Sequence, residues 1–334
     1  ERPYTLGMIA KALPEIERWQ MQGRRVTGVD LYRYMVESWL ERDAGKHAFD
    51  IDHKQQIMEH VAAELWKSGA RTWTARQMED WLVGFLDTTP GIERHYRRKD
   101  LAVLKKDLRT ATFLVGGGRR PFRFAHTSLQ EYFLAGYLLR ALRDGRPEAW
   151  DMAPPSKETW DFLGQMLIGE SDGTALDTLR RIGSAYVPRV SEHAFGFILF
   201  ALGKDYPVPE TAGFVLDGAD LRDWRIAGAS DAVRLNLRGA SFQGAKLTGA
   251  VLRDIDLDRA SFAGADATRA EFNRGSARDV RFDNAGVVGT VFRDFDLTQA
   301  GFAGARQYRT QLLRCSVTDV TGLDGKVPIV FWAL

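Results

Sequence analysis

From about Phe214 to Asp319, large apolar residues return every five positions. The series runs Leu237, Phe242, Leu247, Leu252, Leu257, Phe262, Ala267, Phe272, Ala277, Phe282, Val287, Phe292, Leu297 and Phe302. Two residues earlier stands something mostly small, as at Ala240, Ala245, Ala250, Ala260, Ala265 and Ala270. A period of five matches neither the helical period of about 3.6 nor the strand period of about 2, so the unit is a short bent segment repeated many times. An earlier run, Leu216, Leu221 and Ile226, keeps the period but is offset by one residue, which predicts an insertion and a bulge near Ala227 to Ser230.

Residues 20 apart carry like side chains. Phe242, Phe262, Phe282 and Phe302 make one column, Leu252, Phe272, Phe292 and Leu312 a second, and Leu237, Leu257, Ala277, Leu297 and Val317 a third. On the third side the preceding position is large as well, at Leu235, Ile255 and Phe295, and predicts a locally wider backbone. On these residues the stretch resembles the pentapeptide-repeat family. The resemblance implies a right-handed quadrilateral β-helix in which each pentad makes one side, four make a turn, and the central and small residues point inward. The repeat then spans 213–320, with 321–334 as a C-terminal cap. The apolar tail Val327 to Leu334 would cover the last coil, and a partner-binding strand is its alternative role.

Residues 1 to 210 change character, with few glycines and apolar residues at helical spacing. Leu31, Met35 and Trp39 share one helical face, as do Ile57, Val61 and Leu65. Thr74 followed by Gln77 is a capping box before Met78, Trp81 and Leu82, and Leu101, Leu104 and Leu108 mark a further helix. Two β-rich runs, Thr112 to Val115 and Phe122 to Ala125, flank Gly116, Gly117 and Gly118. Helices followed by a hairpin predict a winged helix. The fold class read from the sequence is therefore multidomain: an all-α helical region with a winged helix, then the pentapeptide-repeat β-helix.

Composition adds exclusions. The net charge is +2, and between 214 and 319 there are 15 Lys plus Arg against 14 Asp plus Glu. A rod so nearly neutral is neither an acidic DNA mimic nor a phosphate-binding surface, which argues against nucleic acid as a partner. A local basic cluster, His95, Arg97, Arg98, Lys99, Lys105, Lys106 and Arg109, raises a DNA-binding reading, but a charged helix face of this kind is generally only solvated. The single cysteine, Cys315, sits at an inward repeat position and allows no internal disulfide. Six scattered histidines show no HExxH-like ligand spacing, and no metal site is predicted. The longest apolar stretch, around Ala194 to Leu202, falls well short of a bilayer span, so a cytoplasmic protein without a membrane partner is expected. The glycine triplet is not a phosphate loop, because Arg119, Arg120 and Pro121 lead back into a strand where a Walker A needs Lys and Ser or Thr opening a helix. No Ser/His/Asp, Cys/His or paired-carboxylate set stands out, so no catalytic residue is named and the chain is not read as an enzyme.

The segment PheArgPheAlaHisThrSerLeuGlnGluTyrPheLeuAla, residues 122–135, carries a second resemblance, with Thr127 and Gln130 able to cap the helix it opens. It resembles the end of the winged helix in NACHT-type STAND NTPases. The likeness extends through residues 31–43, Gly45 to His47, and Arg2 with Pro3. It implies a helical segment of the ATPase module over 1–70, the winged helix over 71–145 and a helical linker domain over 146–212. It also implies that His126 contacts the phosphates of bound ADP while Pro3 packs near the adenine. Without Walker A or B sequences the chain alone would bind no cofactor, and ADP or ATP would require an upstream nucleotide-binding domain, which the abrupt start at Glu1 leads us to expect. The expected function is the regulatory and sensing portion of such an NTPase in bacterial defence or signalling. The repeat rod would bind a protein trigger or self-associate; a stand-alone repeat scaffold is the alternative.

Overall fold

The computed structural model describes residues 2–23, 26–42, 48–89, 91–111, 113–117, 120–230 and 233–330, with the side chains of 2–9, 11, 329 and 330 outside that description. The chain forms two compact units, one of residues 1–140 with 152–169 and one of 141–151 with 170–334.

The first unit begins with α1 (Arg2–Met21), α2 (Gly28–Arg42) and α3 (Ile51–Lys67). At the start of α2 the Thr27 backbone N–H and hydroxyl both donate to Asp30 Oδ2 at 2.8 Å, satisfying donors that a helix end leaves open. The buried stripe of α2 is Val29, Tyr32, Met35, Val36 and Leu40. It lies beside the predicted face, so Leu31 and Trp39 are only half-buried. On α3, Ile57, Val61 and Leu65 are all buried. Then come α4 (Ala75–Thr88), α5 (Ile92–Tyr96) and α6 (Leu101–Arg109). The capping box is present: Gln77 N–H donates to Thr74 Oγ1 at 3.2 Å, and Thr74 N–H donates to Gln77 Oε1 at 2.9 Å. Leu104 and Leu108 are buried, whereas Leu101, the first residue of α6, is exposed.

Strands β1 (Leu114–Gly117) and β2 (Arg120–Phe124) pair antiparallel, with Leu114 opposite Phe124. The first β-run thus starts at Leu114 and takes Gly116 and Gly117 into the strand. Trp73, just before α4, adds an antiparallel bridge to Phe122. Helix α7 (Thr127–Arg143) follows, and its Phe133 is wholly buried with its ring 5.1 Å from Phe113 and 5.8 Å from Phe124. Helix α8 (Lys157–Ile168) returns to α2, where Val29 N–H donates to Gln165 Oε1 at 2.9 Å.

The second unit contains a 3-10 turn (Pro147–Trp150), α9 (Thr174–Ile182), α10 (Val190–Leu202) and a parallel β-solenoid of about four turns. Among the described residues no helix is long and apolar enough to cross a membrane. The strands are β3 (Arg225–Ala227), β4 (Leu235–Asn236), β5 (Val251–Asp256), β6 (Glu271–Ser276), β7 (Val291–Asp296), β8 (Gln311–Leu313) and β9 (Ile329–Val330). They stack in register: Leu252, Phe272, Phe292 and Leu312 are successive partners. Ser241, Ser261, Arg281, Gly301 and Thr321 bridge in turn on another side, each 20 residues from the last.

The backbone accounts for its own polar groups between turns. Phe242, Phe262 and Phe282 each donate their N–H to the following turn, at Ser261, Arg281 and Gly301. Parallel strands lie about 4.8 Å apart, and that spacing sets the ring stacking inside. The Phe242 and Phe262 centroids are 4.7 Å apart at 5°, and Phe262 to Phe282 and Phe282 to Phe302 are both 5.0 Å. The Phe272 and Phe292 rings stack at 4.7 Å in the neighbouring column and meet the first column edge-on, as Phe262 does with Phe272 at 82°. All of these rings, with Leu252, Leu257 and Leu297, have no exposed surface.

The insertion is larger than a bulge. Val215 bridges Ser241 and Asp220 bridges Lys246, a separation of 26 residues instead of 20. Ala227 pairs with Arg253 and Leu235 with Ile255, so seven sequence positions fall between paired residues that a later turn separates by Asp254 alone. At the entrance of the solenoid, α10 shares its hydrophobic core through Phe195 and Ile198. Phe195 lies 5.2 Å from Phe214 and stacks on Trp224 at 6.3 Å. At the exit the central position falls to Gln307, whose amide donates to Gly322 O at 2.7 Å and accepts from Asp324 N–H at 2.9 Å. Strand β9 then pairs with β8, Leu312 opposite Ile329, and Val327 is buried. Residues 331–334 of the apolar tail lie outside the described residues.

Candidate functional site

Each pentad turns its corner through one residue at positive φ. Some corners are glycine, as at Gly244 and Gly264, but Arg259, Arg269, Asp279 and Asn284 do the same at 56° to 60°, where an L side chain is strained. On the side formed by β5 to β8 the corner residues are Asp254, Arg274, Asp294 and Arg314, stacked one turn apart. Their charges alternate along the rod, so each turn supplies the counter-ion of the next. Arg274 Nη2 lies 2.9 Å from Asp254 Oδ2. Arg314 grips Asp294 with two bonds, Nε to Oδ1 at 2.6 Å and Nη2 to Oδ2 at 2.5 Å. The hydrogen bond from Arg314 holds the Asp294 carboxyl below its ordinary range.

Beside this ladder runs a polar trough of about 510 Å³. Arg238 reaches Asp256 at 2.7 Å and Asp258 at 3.6 Å across it, and Arg278 reaches Asp296 at 2.5 Å. Asp258 Oδ1 also accepts the Arg278 backbone N–H at 2.9 Å. Burial pushes the Asp296 carboxyl up, but hydrogen bonds from Thr298 and Arg278 outweigh it and hold it low. Arg238 and Arg278 remain more than half exposed. This surface offers guanidinium and carboxylate groups in fixed alternation. Its bulk attraction for a charged partner is nearly cancelled. The sequence already shows alternating Arg and Asp; what it does not show is which ones stack.

Among the described residues, the inward positions carry no reactive group open to solvent. Cys315 is buried, its Sγ 3.4 Å from Phe292 O, and burial pushes its thiol pKa up, away from the reactive thiolate. Thr290 and Thr310 occupy positions that earlier turns fill with alanine, and their hydroxyls donate to Ala267 O at 2.7 Å and Val287 O at 2.5 Å.

In the first unit, β2 ends at Phe124 and α7 starts at Thr127, which puts half-buried His126 at the junction. The Ser128 N–H donates to His126 Nδ1 at 3.2 Å, and the Ser128 hydroxyl lies 2.5 Å from the same nitrogen. Tyr32 donates its hydroxyl to Ser128 Oγ, and burial raises the Tyr32 pKa. Thr127 falls inside the helix, so the N-terminal position belongs to His126 and not to the Thr127 and Gln130 pair. Gly116 and Gly117 lead from strand to strand and open no helix. The Pro3 side chain, residues 45–47, Thr112, and Gly118 with Arg119 lie outside the described residues.

Much of the basic cluster is answered by carboxylates. Arg97 meets Glu93 at 2.5 Å, Lys105 and Arg109 meet Glu79 at 3.6 and 3.1 Å, and His95 meets Asp50 at 2.8 Å. His53 stands beside that last pair, its Nδ1 3.9 Å from Asp50 Oδ2. Sequence spacing gave no sign of this group, because 42 residues separate the two histidines.

The stacked five-residue units define this region as a pentapeptide-repeat domain folded as a β-solenoid. The family described as pentapeptide repeats matches residues 236–274 in eight copies. Among solved structures the chain is similar to HetL, a pentapeptide repeat protein involved in heterocyst differentiation regulation from the cyanobacterium Nostoc, at 23% identity and a TM-score of 0.20. That likeness covers 32% of this chain and 50% of HetL, so the chain spans half the length of that relative. A pentapeptide repeat protein of the Arabidopsis thaliana thylakoid lumen is 28% identical over 29% of this chain and 67% of its own, with a TM-score of 0.18. QnrB1, a plasmid-mediated fluoroquinolone resistance protein, is 16% identical over 36% and 66%, with a TM-score of 0.16. A comparison with curated proteins finds no match.

Proposed function

We propose that this chain is the regulatory and sensing portion of a STAND (NACHT-like) NTPase, in bacterial defence or signalling. Residues 71–145 form its winged helix, a clamp that reports nucleotide state, and the solenoid is its protein-binding, trigger-sensing or assembly surface. The observation that carries the reading is the meeting of Tyr32 and His126 on Ser128. The segments 31–43 and 122–135, which resemble the family in sequence, converge at that hydroxyl. A histidine at the start of a long helix suits a phosphate, because the first N–H groups and the helix dipole favour negative charge. In this reading His126 contacts ADP phosphates and Pro3 packs near the adenine, with the nucleotide held by a domain upstream.

The solenoid supports the second half of the reading. Its outer groups are paired into an Arg/Asp ladder and a polar trough, a surface suited to recognising a protein by shape and ion-pair geometry. ADP retained by the natural protein after purification tests the clamp. The His126→Ala variant is expected to release it, and equal retention in both proteins overturns the assignment. Removal of 213–334 is expected to abolish trigger response; a response that survives sinks the sensor role.

A stand-alone repeat scaffold without nucleotide switching is the second reading, favoured by the lack of Walker A and B sequences in the chain itself. A P-loop encoded directly upstream separates the two.

A further inference from the structure

We propose that Asp50, His53 and His95 form a surface site for a zinc-class divalent metal ion. Asp50 stands immediately before α3, His53 lies in the first turn of that helix, and His95 lies in α5. Two imidazole nitrogens and one carboxylate oxygen are the donor set that borderline transition-metal ions such as zinc prefer. The three donor atoms all lie within 4.8 Å of one another. Bonds of about 2.0 to 2.2 Å in a tetrahedral site place ligand atoms roughly 3.3 Å apart. The separations from Asp50 Oδ2, 2.8 Å to His95 Nε2 and 3.9 Å to His53 Nδ1, bracket that value.

His95 pairs with Asp50 Oδ2, and the Tyr96 hydroxyl holds the His53 imidazole beside the same oxygen. The rings of His53 and His95 are 5.0 Å apart and meet edge to face. One dication is met by both rings and the carboxylate together. Tyr96 braces the group from beneath. It is buried, its hydroxyl accepts the Asp50 backbone N–H at 2.9 Å, and the same hydroxyl lies 2.9 Å from His53 Nδ1, a contact that an ion on that nitrogen replaces. Phe49 packs edge-on against the Tyr96 ring at 5.1 Å. The chain on both sides of the donors is therefore anchored before any ion arrives, which lowers the ordering cost of binding.

The Asp50, His53 and His95 side chains are 58%, 25% and 44% exposed, so an ion reaches the site from solvent and keeps a fourth position for water or an outside ligand. Bound there, it ties the start of α3 to α5.

Cobalt(II) titrated into the chelator-treated full chain near neutral pH tests the site through its visible absorption, with zinc as competitor. One equivalent per chain is expected, displaced by zinc, with affinity falling by more than about tenfold in His53→Ala and in His95→Ala. Binding far below one equivalent, or binding untouched by both substitutions, overturns the proposal. Should either variant fail to fold, mass-spectrometric mapping of histidine acylation in the unsubstituted chain decides. Zinc is expected to protect His53 and His95 while His126 reacts as before, and unprotected His53 and His95 refute the site.

Discussion

Phe295 occupies the space that any side chain at residue 275 would take: a methyl group built on Gly275 meets the Phe295 ring at 2.5 Å and Ile255 O at 2.4 Å. The position is Ile255 one turn earlier, Phe295 one turn later and Cys315 two turns later, so large and small residues alternate along one internal column. This side is filled unequally, turn by turn.

Gly275→Ala is accordingly expected to destabilise the solenoid by about 1 to 3 kcal/mol through overpacking. Urea unfolding followed by tryptophan fluorescence checks it. A stability unchanged or raised by the added methyl would contradict the close approach.

Phe262 lies between Phe242 at 4.7 Å and Phe282 at 5.0 Å, with no exposed surface. Phe262→Ala removes both stacking contacts and leaves a cavity that the hydrogen-bonded turns above and below cannot close. The expected cost is about 3 to 5 kcal/mol in the same measurement. A loss under about 1 kcal/mol is incompatible with this stacking register.

Acid is expected to weaken the rod. Asp294 and Asp296 both have folded pKa values held below the ordinary carboxylate value of about 3.9. Groups of this kind stabilise the fold above the ordinary value and lose that contribution as pH falls through the depressed one. The thermal midpoint should therefore be flat from neutral to mildly acidic pH and drop below about pH 4. The stability gap between wild type and Asp294→Asn should narrow in the same range. A gap that stays constant as the pH is lowered would show that the Arg314 pair contributes nothing to it.

In the first unit the carboxylate of Glu59 is 2% exposed and takes Arg140 Nε at 2.6 Å and Gln55 at 3.1 Å. Gly136 leaves it room, since a Cβ there would come within 2.9 Å of Glu59 Oε1. Arg140→Met strands a buried charge and is expected to cost about 3 to 5 kcal/mol. Glu59→Gln combined with Arg140→Met should recover part of the loss, and no recovery in denaturant unfolding argues that the damage is packing alone.

The repeat was legible because a solenoid forces its core to recur. Every turn presents the same few positions inward, so Phe242, Phe262, Phe282 and Phe302 reappear at fixed spacing. The size of the insertion was not legible. An offset of one residue and an insertion of six look alike when residues are counted in fives, and only the pairing of Ile226 with Leu252 and Leu235 with Ile255 separates them. Capping at Thr74 was readable because its partner Gln77 is three residues away. The junction at His126 was readable as a strand-to-helix change, but the contribution of Tyr32 was not, since 96 residues separate it from Ser128.

The amino-acid sequence by itself determined the inward positions of the rod, their period of 20, and the near neutrality of its surface, because these depend on local chemistry repeated along the chain. Tertiary structure alone decided which outer charges neutralise one another. It also decided that Glu59 meets Arg140 and that Asp50 gathers His53 and His95. Those groups come from helices with no common period, and their meeting depends on how the helices pack, a property no single segment encodes.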